Sequence, residues 1–127
     1  MKLRSTHNSI RIRIRKSELL LLKQQTRVEE QVQFPNGILF KFVLSVDQKK
    51  ENVDAALENH ELLIALPEKE AKAWMNSNHV GIERQIALPD GEHLHLLIEK
   101  DFPCTDREEE DKSDTFWELA TDKPEVC

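Results

Sequence analysis

Residues 28–37 read Val-Glu-Glu-Gln-Val-Gln-Phe-Pro-Asn-Gly, and residues 82–91 read Ile-Glu-Arg-Gln-Ile-Ala-Leu-Pro-Asp-Gly. The two stretches align without a gap, with four identical pairs and four more that keep the same chemistry. An internal repeat describes the whole fold, because each copy is one structural unit. We therefore predict that the globular part consists of two copies of one unit.

Each copy of the repeat ends in a turn signal, Pro-Asn-Gly or Pro-Asp-Gly. Proline presets φ, Asn or Asp tolerates left-handed backbone, and glycine adopts positive φ without steric cost. Alternating or apolar runs follow at residues 38–44 and 93–98, and such runs bury one face of a sheet. Two β-hairpins are predicted, at about residues 27–46 and 80–100.

Upstream of each hairpin the pattern predicts a helix. Residues 67–76 begin with proline, carry acids in the first turn and place Ala71, Trp74 and Met75 on one apolar face. In the first copy, Ser17 is the predicted cap of a helix that continues through Lys23. Before the helices, strands are predicted at residues 1–4, 10–15, 53–57 and 62–66.

The predicted fold class is α+β, built from a duplicated strand–strand–helix–strand–strand unit. It has about eight mostly antiparallel strands and two helices, arranged as a sheet, a sandwich or a flattened barrel. Residues 1–103 are predicted to form a single globular domain of two pseudo-repeats, at about 1–47 and 51–101. Residues 104–127 form an acidic tail that is expected to be partly disordered or docked on the domain.

The composition is typical of a soluble protein with reduced thiols. The 127 residues carry a net charge of −6 and include two cysteines, and no apolar run approaches the ~20 residues of a membrane-spanning helix. We expect a cytoplasmic protein with no signal peptide and no membrane contact. The charge is uneven, because residues 1–27 have a net charge of +7 and the remaining residues one of −13.

An arginine stripe is the sharpest feature of the basic N-terminal part. Arg11, Arg13 and Arg15 alternate with isoleucines, which places the three guanidinium groups on one strand face. Guanidinium forks suit phosphate or carboxylate oxygens, so the stripe could bind a small anionic ligand. It could equally be a solvated face that pairs with cross-strand acids such as Glu29. We expect no nucleic-acid partner, because the whole chain is acidic and lacks a basic-aromatic motif.

A histidine pair offers a weaker signal. His93 and His95 share one predicted strand face, a spacing that can hold zinc if a third ligand arrives. Their counterparts in the first copy are Leu39 and Lys41, which favours two partly exposed strand histidines. We predict no metal and no cofactor.

The segment that begins at Glu99 gathers a thiol, an arginine, several carboxylates and two aromatic residues. The candidate ligand-binding residues in this segment are Glu99, Asp101, Cys104, Arg107, Asp111 and Asp114. A metal or catalytic site could be assembled from them, or the segment could be a solvated tail. In a third interpretation, the acids of residues 106–114 lie across the basic N-terminal region, with Phe116 and Trp117 as apolar anchors.

Several runs of the chain, taken together, resemble a small bacterial domain family of unknown function. The runs are Asn8–Ile14, Arg27–Glu30, Trp74 with residues 80–83, Glu99–Phe102 with Cys104 and Arg107, and residues 110–116. The stretch Glu-Lys-Asp-Phe-x-Cys is the most specific part, and the resemblance covers nearly the whole chain. It implies a bacterial cytosolic origin and brings no known activity, substrate or cofactor.

The predicted function is that of a non-enzymatic cytosolic protein that binds a partner protein or a small anionic ligand. The chain has no recognised nucleophile–base motif, phosphate loop or metal spacing. The alternative is an enzyme or a metal-binding protein whose site combines Arg11, Arg13 and Arg15 with the segment from Glu99 to Asp114. The sequence does not predict an oligomeric state.

Overall fold

The computed structural model describes residues 1–102, 114 and 116–119. Its strands are β1 Lys2–Thr6, β2 Ser9–Ile14, β3 Arg27–Gln33, β4 Leu39–Asp47, β5 Asp54–Glu58, β6 Glu61–Pro67, β7 Gly81–Ala87 and β8 His93–Lys100. The helices are α1 Lys16–Gln25 and α2 Glu68–Met75, and a short 3-10 turn covers Trp117–Leu119. The order strand–strand–helix–strand–strand therefore occurs twice, and the predicted α+β class with eight strands and two helices is confirmed.

The repeated stretch forms two hairpins, β3–β4 and β7–β8, as predicted. Gly37 and Gly91 have φ values of 85° and 88°, which only glycine adopts without strain. The preceding residue supplies the rest of the turn, because Asn36 Oδ1 accepts a hydrogen bond from the Ile38 N–H at 3.2 Å. Asp90 Oδ1 does the same for the Glu92 N–H at 2.9 Å.

The strands form two four-stranded sheets, and each sheet combines one hairpin from the first half of the chain with one hairpin from the second half. The first sheet has the order β1-β2-β8-β7, and the second has the order β3-β4-β6-β5. The β1–β2 hairpin of the first half thus joins the β7–β8 hairpin of the second half. Within the described residues the strands form two separate sheets, so the barrel alternative is not observed.

Each sheet is antiparallel except at its centre, where strands from the two halves run parallel. Ile12 in β2 pairs with Ile98 in β8, and Ile64 in β6 pairs with Leu44 in β4. Because Ile98 and Leu44 also match in the repeat, Ile12 and Ile64 occupy equivalent positions in the two sheets. The same registers define an equivalent for every other residue of the central strands.

One hydrophobic core contains the inward side chains of both sheets and of both helices. Ile12 and Ile64 are each 1% exposed, and they lie in the same cluster as Leu22 of α1 and Trp74 of α2. The Trp74 indole donates a hydrogen bond to the Val80 carbonyl at 3.1 Å. Both helices follow the same ends of the central strands, so they cover one end of the core.

The predicted cap of α1 is wrong. The helix begins at Lys16 rather than after Ser17, and Glu18 provides the capping interaction by accepting the Arg15 backbone N–H at 2.9 Å. Glu18 is buried and also accepts a hydrogen bond from the Met1 ammonium group. A carboxylate in the first turn complements the positive end of the helix dipole. The ion pair between the Met1 ammonium group and Glu18 also joins the first residue of the chain to α1.

Candidate functional site

The outer face of the first sheet, opposite the core, carries a cluster of charged side chains. Because side chains alternate along a strand, Arg11 and Arg13 point away from the face that buries Ile12 and Ile14. The register places Lys2 beside Arg13 and Arg4 beside Arg11. We call this surface the charged face, and it comprises Lys2, Arg4, Arg11, Arg13, Glu99 and Asp101.

The centre of the charged face is an ion pair between neighbouring parallel strands. Arg13 Nε donates a hydrogen bond to Glu99 Oε1 at 2.6 Å, and Arg11 Nε lies 3.8 Å from the same oxygen. The Arg13 and Glu99 side chains are only 11% and 8% exposed. Arg13 Nη2 is buried and has no hydrogen-bond partner among the described residues, which is a costly arrangement for a charged donor.

The edge of the charged face is formed by Lys2 on β1 and by Asp101 and Phe102, which follow β8. Lys2 Nζ lies 3.2 Å from Asp101 Oδ2, and Arg13 Nη1 lies 3.9 Å from Asp101 Oδ1. The Phe102 ring packs 5.1 Å from the Arg13 guanidinium carbon, a separation typical of a cation–π contact. Four cationic side chains thus share a surface with two carboxylates.

The second sheet provides an internal control for the charged face. Its equivalent residues are Leu63 for Arg11, Ala65 for Arg13, Ser45 for Glu99, Asp54 for Lys2 and Ala56 for Arg4. The same strand order and register therefore form with Leu63, Ala65, Ala56 and Ser45 in place of the three arginines and Glu99, and with an acid, Asp54, in place of Lys2. Since the sheet geometry does not require the charges, the charged face is a candidate site rather than part of the scaffold.

Arg15 does not share the face of the other two arginines. Strand β2 ends at Ile14, and Arg15 stands at the start of α1 with Nε 3.3 Å from Glu18 Oε1. Glu29 is also not the acid that pairs with the stripe, because it lies 3.1 Å from Arg27. The acid that approaches the stripe is Glu99, on the strand that the exchange of hairpins brings beside β2.

The remaining candidates are only partly described. Glu99 and Asp101 meet the arginines, and Asp114 is exposed. Cys104, Arg107 and Asp111 lie outside the described residues, as does most of the acidic stretch at 106–114. The role of these residues stays a prediction.

The histidine pair is divided between two environments. His95 Nε2 lies 2.7 Å from Glu83 Oε1 on the outer face of the first sheet, whereas His93 is exposed. Across the part of the chain that the structure describes, no three His, Cys, Asp or Glu residues are grouped so that they could hold a metal ion.

Lys2 and Arg4 are members of the charged face that sequence reasoning did not select. Both are visible in the alternation of the first strand, since they occupy positions two residues apart. Their significance depends on which residues they adjoin, and the antiparallel register with β2 decides this.

The fold and the charged face define a two-sheet α+β protein with paired halves and an asymmetric charged surface. The model of a family described as "Family of unknown function (DUF7009)" matches residues 1–119, so the chain belongs to this family. Comparisons with curated proteins and with solved structures found no match. In the described residues, neither helix has the length and apolar character needed to cross a membrane.

Proposed function

We propose that this is a non-enzymatic binding protein and that the charged face binds an anionic partner or a small anionic ligand. The observation that carries the proposal is the placement of Arg11 and Arg13, with Lys2 and Arg4 beside them, on a face whose equivalent in the second sheet has no basic side chain at these four positions. Guanidinium groups bind carboxylate and phosphate oxygens through paired hydrogen bonds.

Of the two arginines on β2, Arg11 is the more available to such a ligand. Its side chain is 24% exposed and lies at 3.8 Å from Glu99, beyond hydrogen-bond distance. Arg13 is engaged by Glu99 and Phe102, so its role is to hold positive charge beneath the surface and to orient its neighbours. An incoming anion would then be bound mainly by Arg11 and the flanking basic side chains.

A thermal-shift titration of the full-length protein with phosphate, pyrophosphate and citrate tests this proposal. A ligand at a hundred times its Kd stabilises the folded state by about 2.7 kcal/mol. We expect a saturable rise in melting temperature that Arg11→Gln removes. Arg27→Gln is the matched control, because Arg27 is a partly exposed arginine paired with acids on the other sheet, and it should keep the shift.

No shift with any anion, or an equal loss in both variants, would contradict anion binding at the charged face. Acidic residues 106–114 of the same chain are the competing occupant, since their charge complements the basic N-terminal region. A wild-type protein that shows no shift, together with a shift that appears once Glu108, Glu109 and Glu110 are changed to glutamine, would favour that internal occupant over an external anion.

The alternative function is an enzyme or metal-binding protein that uses the same arginines with the segment from Glu99 to Asp114. The approach of Arg13 to Glu99 and Asp101 favours it. This alternative predicts that Cys104→Ser removes a response to divalent metals in the same thermal-shift assay. A response that Cys104→Ser leaves intact would exclude Cys104 from such a site.

We also infer that the halves at about 1–47 and 51–101 are pseudo-repeats of one domain. The support is that inward positions match across the sheets: Ile12 with Ile64 and Ile98 with Leu44. A cytoplasmic and bacterial setting is part of the same proposal, and it rests on the composition and on the sequence resemblance alone.

A further inference from the structure

A cavity of about 290 Å³ opens between the two sheets, and the edge strands β1 and β5 both contribute to its wall. Leu3 and Ser5 line it from β1, and residues 55–57 line it from β5. Among the described residues that line it, only Ser5 has a polar side chain, and Leu57 at its rim is 69% exposed. Apolar surface therefore meets water beside an edge of each sheet.

The backbone groups of Leu3 and Ser5 point outward at the edge of β1. The Asn8 carbonyl, just before β2, accepts a hydrogen bond from the His95 N–H at 2.8 Å, so even-numbered positions along β2 direct their backbone groups at β8. Odd-numbered positions therefore face β1, where their partners are Lys2, Arg4 and Thr6. Leu3 and Ser5 alternate with these partners, and no strand of the described residues pairs with the edge that they form. Such an edge is a template for a further strand.

The equivalent edge of the second sheet carries the opposite charge. The outward side chains of β1 are Lys2, Arg4 and Thr6, and the equivalent side chains of β5 are Asp54, Ala56 and Glu58. One edge beside the cavity thus has two bases and no acid, and the other has two acids and no base. An acidic partner is attracted to the first edge and repelled by the second.

A strand added to β1 would place its alternate side chains on the two faces of the first sheet. Its outer side chains would lie beside Lys2 and Arg4, on the charged face. Its inner side chains would lie beside Leu3 and the cavity. When a peptide adds to a sheet edge, backbone hydrogen bonds supply affinity, and pockets for alternate side chains supply specificity. The edge therefore suits an extended segment in which acidic and apolar residues alternate.

The β1 strand of a second copy does not match this edge. In the antiparallel register with the largest overlap, Leu3 would face Ser5, and Arg4 would face Arg4 of the second copy. Like charges directly opposite each other destabilise a strand pair. The basic side chains of β1 thus disfavour self-pairing and admit an acidic strand.

We propose that the free edge of β1 binds an extended peptide of alternating acidic and apolar residues, as an added antiparallel strand of the first sheet. The Ser5 backbone would hydrogen-bond the peptide, Lys2 and Arg4 would meet its acids, and an apolar side chain would enter the cavity. The inference rests on the proposed function, because it names an acidic peptide as the anionic partner of the charged face.

The test measures fluorescence anisotropy of a short labelled peptide of alternating glutamate and valine, titrated with the full-length protein. One control peptide has lysine in place of glutamate, and another has serine in place of valine. We expect saturable binding of the first peptide alone, weakened by added salt because salt screens exposed charges. Equal binding of either control peptide would overturn the inference.

Ser5→Pro tests the backbone of the edge, because proline removes the outward N–H and leaves the pairing of β1 with β2 intact. It should weaken peptide binding at least about tenfold. The matched control is Gln85→Pro on β7, the opposite edge of the same sheet. The Lys100 N–H donates to the Val80 carbonyl, so odd-numbered positions of β7 point outward and Gln85 also has an outward N–H. This control should bind the peptide like the wild type.

Lys2→Gln with Arg4→Gln tests the charge and keeps the backbone of β1. This variant should also weaken binding of the glutamate peptide at least about tenfold. Melting temperatures check that all variants are folded. Equal effects of Ser5→Pro and Gln85→Pro, or unchanged binding to the Lys2 and Arg4 variant, would overturn the inference.

The thermal shift with phosphate and citrate separates this inference from the proposed function. Ser5→Pro should keep that shift, because Arg11 carries it. A shift without peptide binding would overturn the peptide inference alone, and the absence of both would overturn both. Sedimentation velocity of the wild type tests a further occupant. A sedimentation coefficient that rises with protein concentration would assign the β1 edge to β5 of another copy and would overturn the peptide inference.

Discussion

The two sheets have the same topology. Their inner faces carry matching residues at equivalent positions, whereas their outer faces carry different ones. On the inner face, equivalent positions hold residues of the same kind, such as Ile12 with Ile64 and Ile98 with Leu44. On the outer face, Arg13 in one sheet corresponds to Ala65 in the other, and Glu99 corresponds to Ser45.

This difference separates what the fold needs from what it tolerates. The inner positions share one core, where a change of even one methylene group affects close packing. The outer positions face solvent or the opposite charge, so their identity is free to differ. The comparison of the two sheets within one chain therefore marks the charged face as a candidate site.

The largest expected effect is on the inner faces, where the two sheets should respond alike. Ile12→Ala and Ile64→Ala should each lower the free energy of unfolding by about 2–5 kcal/mol, because each leaves a cavity at a position that is 1% exposed. Urea unfolding followed by circular dichroism measures both. If one variant lost less than about 1 kcal/mol, the two sheets would not share the core equally.

The second prediction transfers the outer face of the second sheet to the first. Arg13→Ala should cost about 3 kcal/mol, because it leaves the Glu99 carboxylate buried beside a more distant arginine. Arg13→Ala with Glu99→Ser reproduces Ala65 and Ser45 and should recover most of that loss. A double variant as unstable as the single one would show that the charged face is required for folding.

A smaller effect is expected at Gly81, whose equivalent in the second sheet is Arg27. A Cβ at Gly81 would lie 2.5 Å from the Ile98 carbonyl oxygen and 3.0 Å from Glu99 Cβ. Gly81→Ala should therefore cost about 1–3 kcal/mol through local overpacking. Arg27→Ala should change stability by less than about 1 kcal/mol, because Arg27 forms only partly exposed ion pairs. Melting temperatures of the two variants provide the comparison.

The smallest predicted effect concerns the buried contact of α1. Burial of Glu18 acts to raise its pKa, but hydrogen bonds from the Met1 ammonium and the Arg15 backbone, with the ammonium charge, lower the pKa below its ordinary 4.5. As pH falls from 4.5 through the folded pKa, the unfolded chain binds more protons, so this stabilisation is lost.

Glu18→Gln should accordingly lower stability at neutral pH by about 1.5 kcal/mol, the weaker end for hydrogen bonds to charged groups. The difference in unfolding free energy between wild type and variant should shrink as the pH falls below 4.5 and through the folded-state pKa of Glu18. Denaturant titrations at pH 7 and at pH 3 measure it, and a difference that grows in acid would contradict the assignment.

Much of the fold is predictable because the signals are local. The Pro-Asn-Gly and Pro-Asp-Gly turns and the alternation on either side define the β3–β4 and β7–β8 hairpins within a few residues. Pro67 and the apolar face of Ala71, Trp74 and Met75 define α2 in the same way. The local signal at Ser17 is weaker, and it predicts a helix start after the observed one at Lys16.

The candidate site is less predictable because it combines distant parts of the chain. Alternation alone places Arg11 and Arg13 on one strand face. It does not identify Glu99 as their partner, since Glu99 lies 86 positions after Arg13 in the chain and a strand pattern carries no information about the neighbouring strand. Alternation also predicts that Arg15 belongs to the stripe, because the pattern continues past Ile14, whereas β2 ends at Ile14 and α1 begins at Lys16.

The sequence by itself determined the class of fold, the order of elements and the positions of the two hairpins that carry the repeated stretch, because turn chemistry and periodicity act over a few residues. Only the tertiary structure decided that the halves exchange hairpins, that β2 lies parallel to β8, and that Glu99 meets Arg13. Pairing between remote strands depends on which faces can be buried together, and that is a property of the whole assembled core.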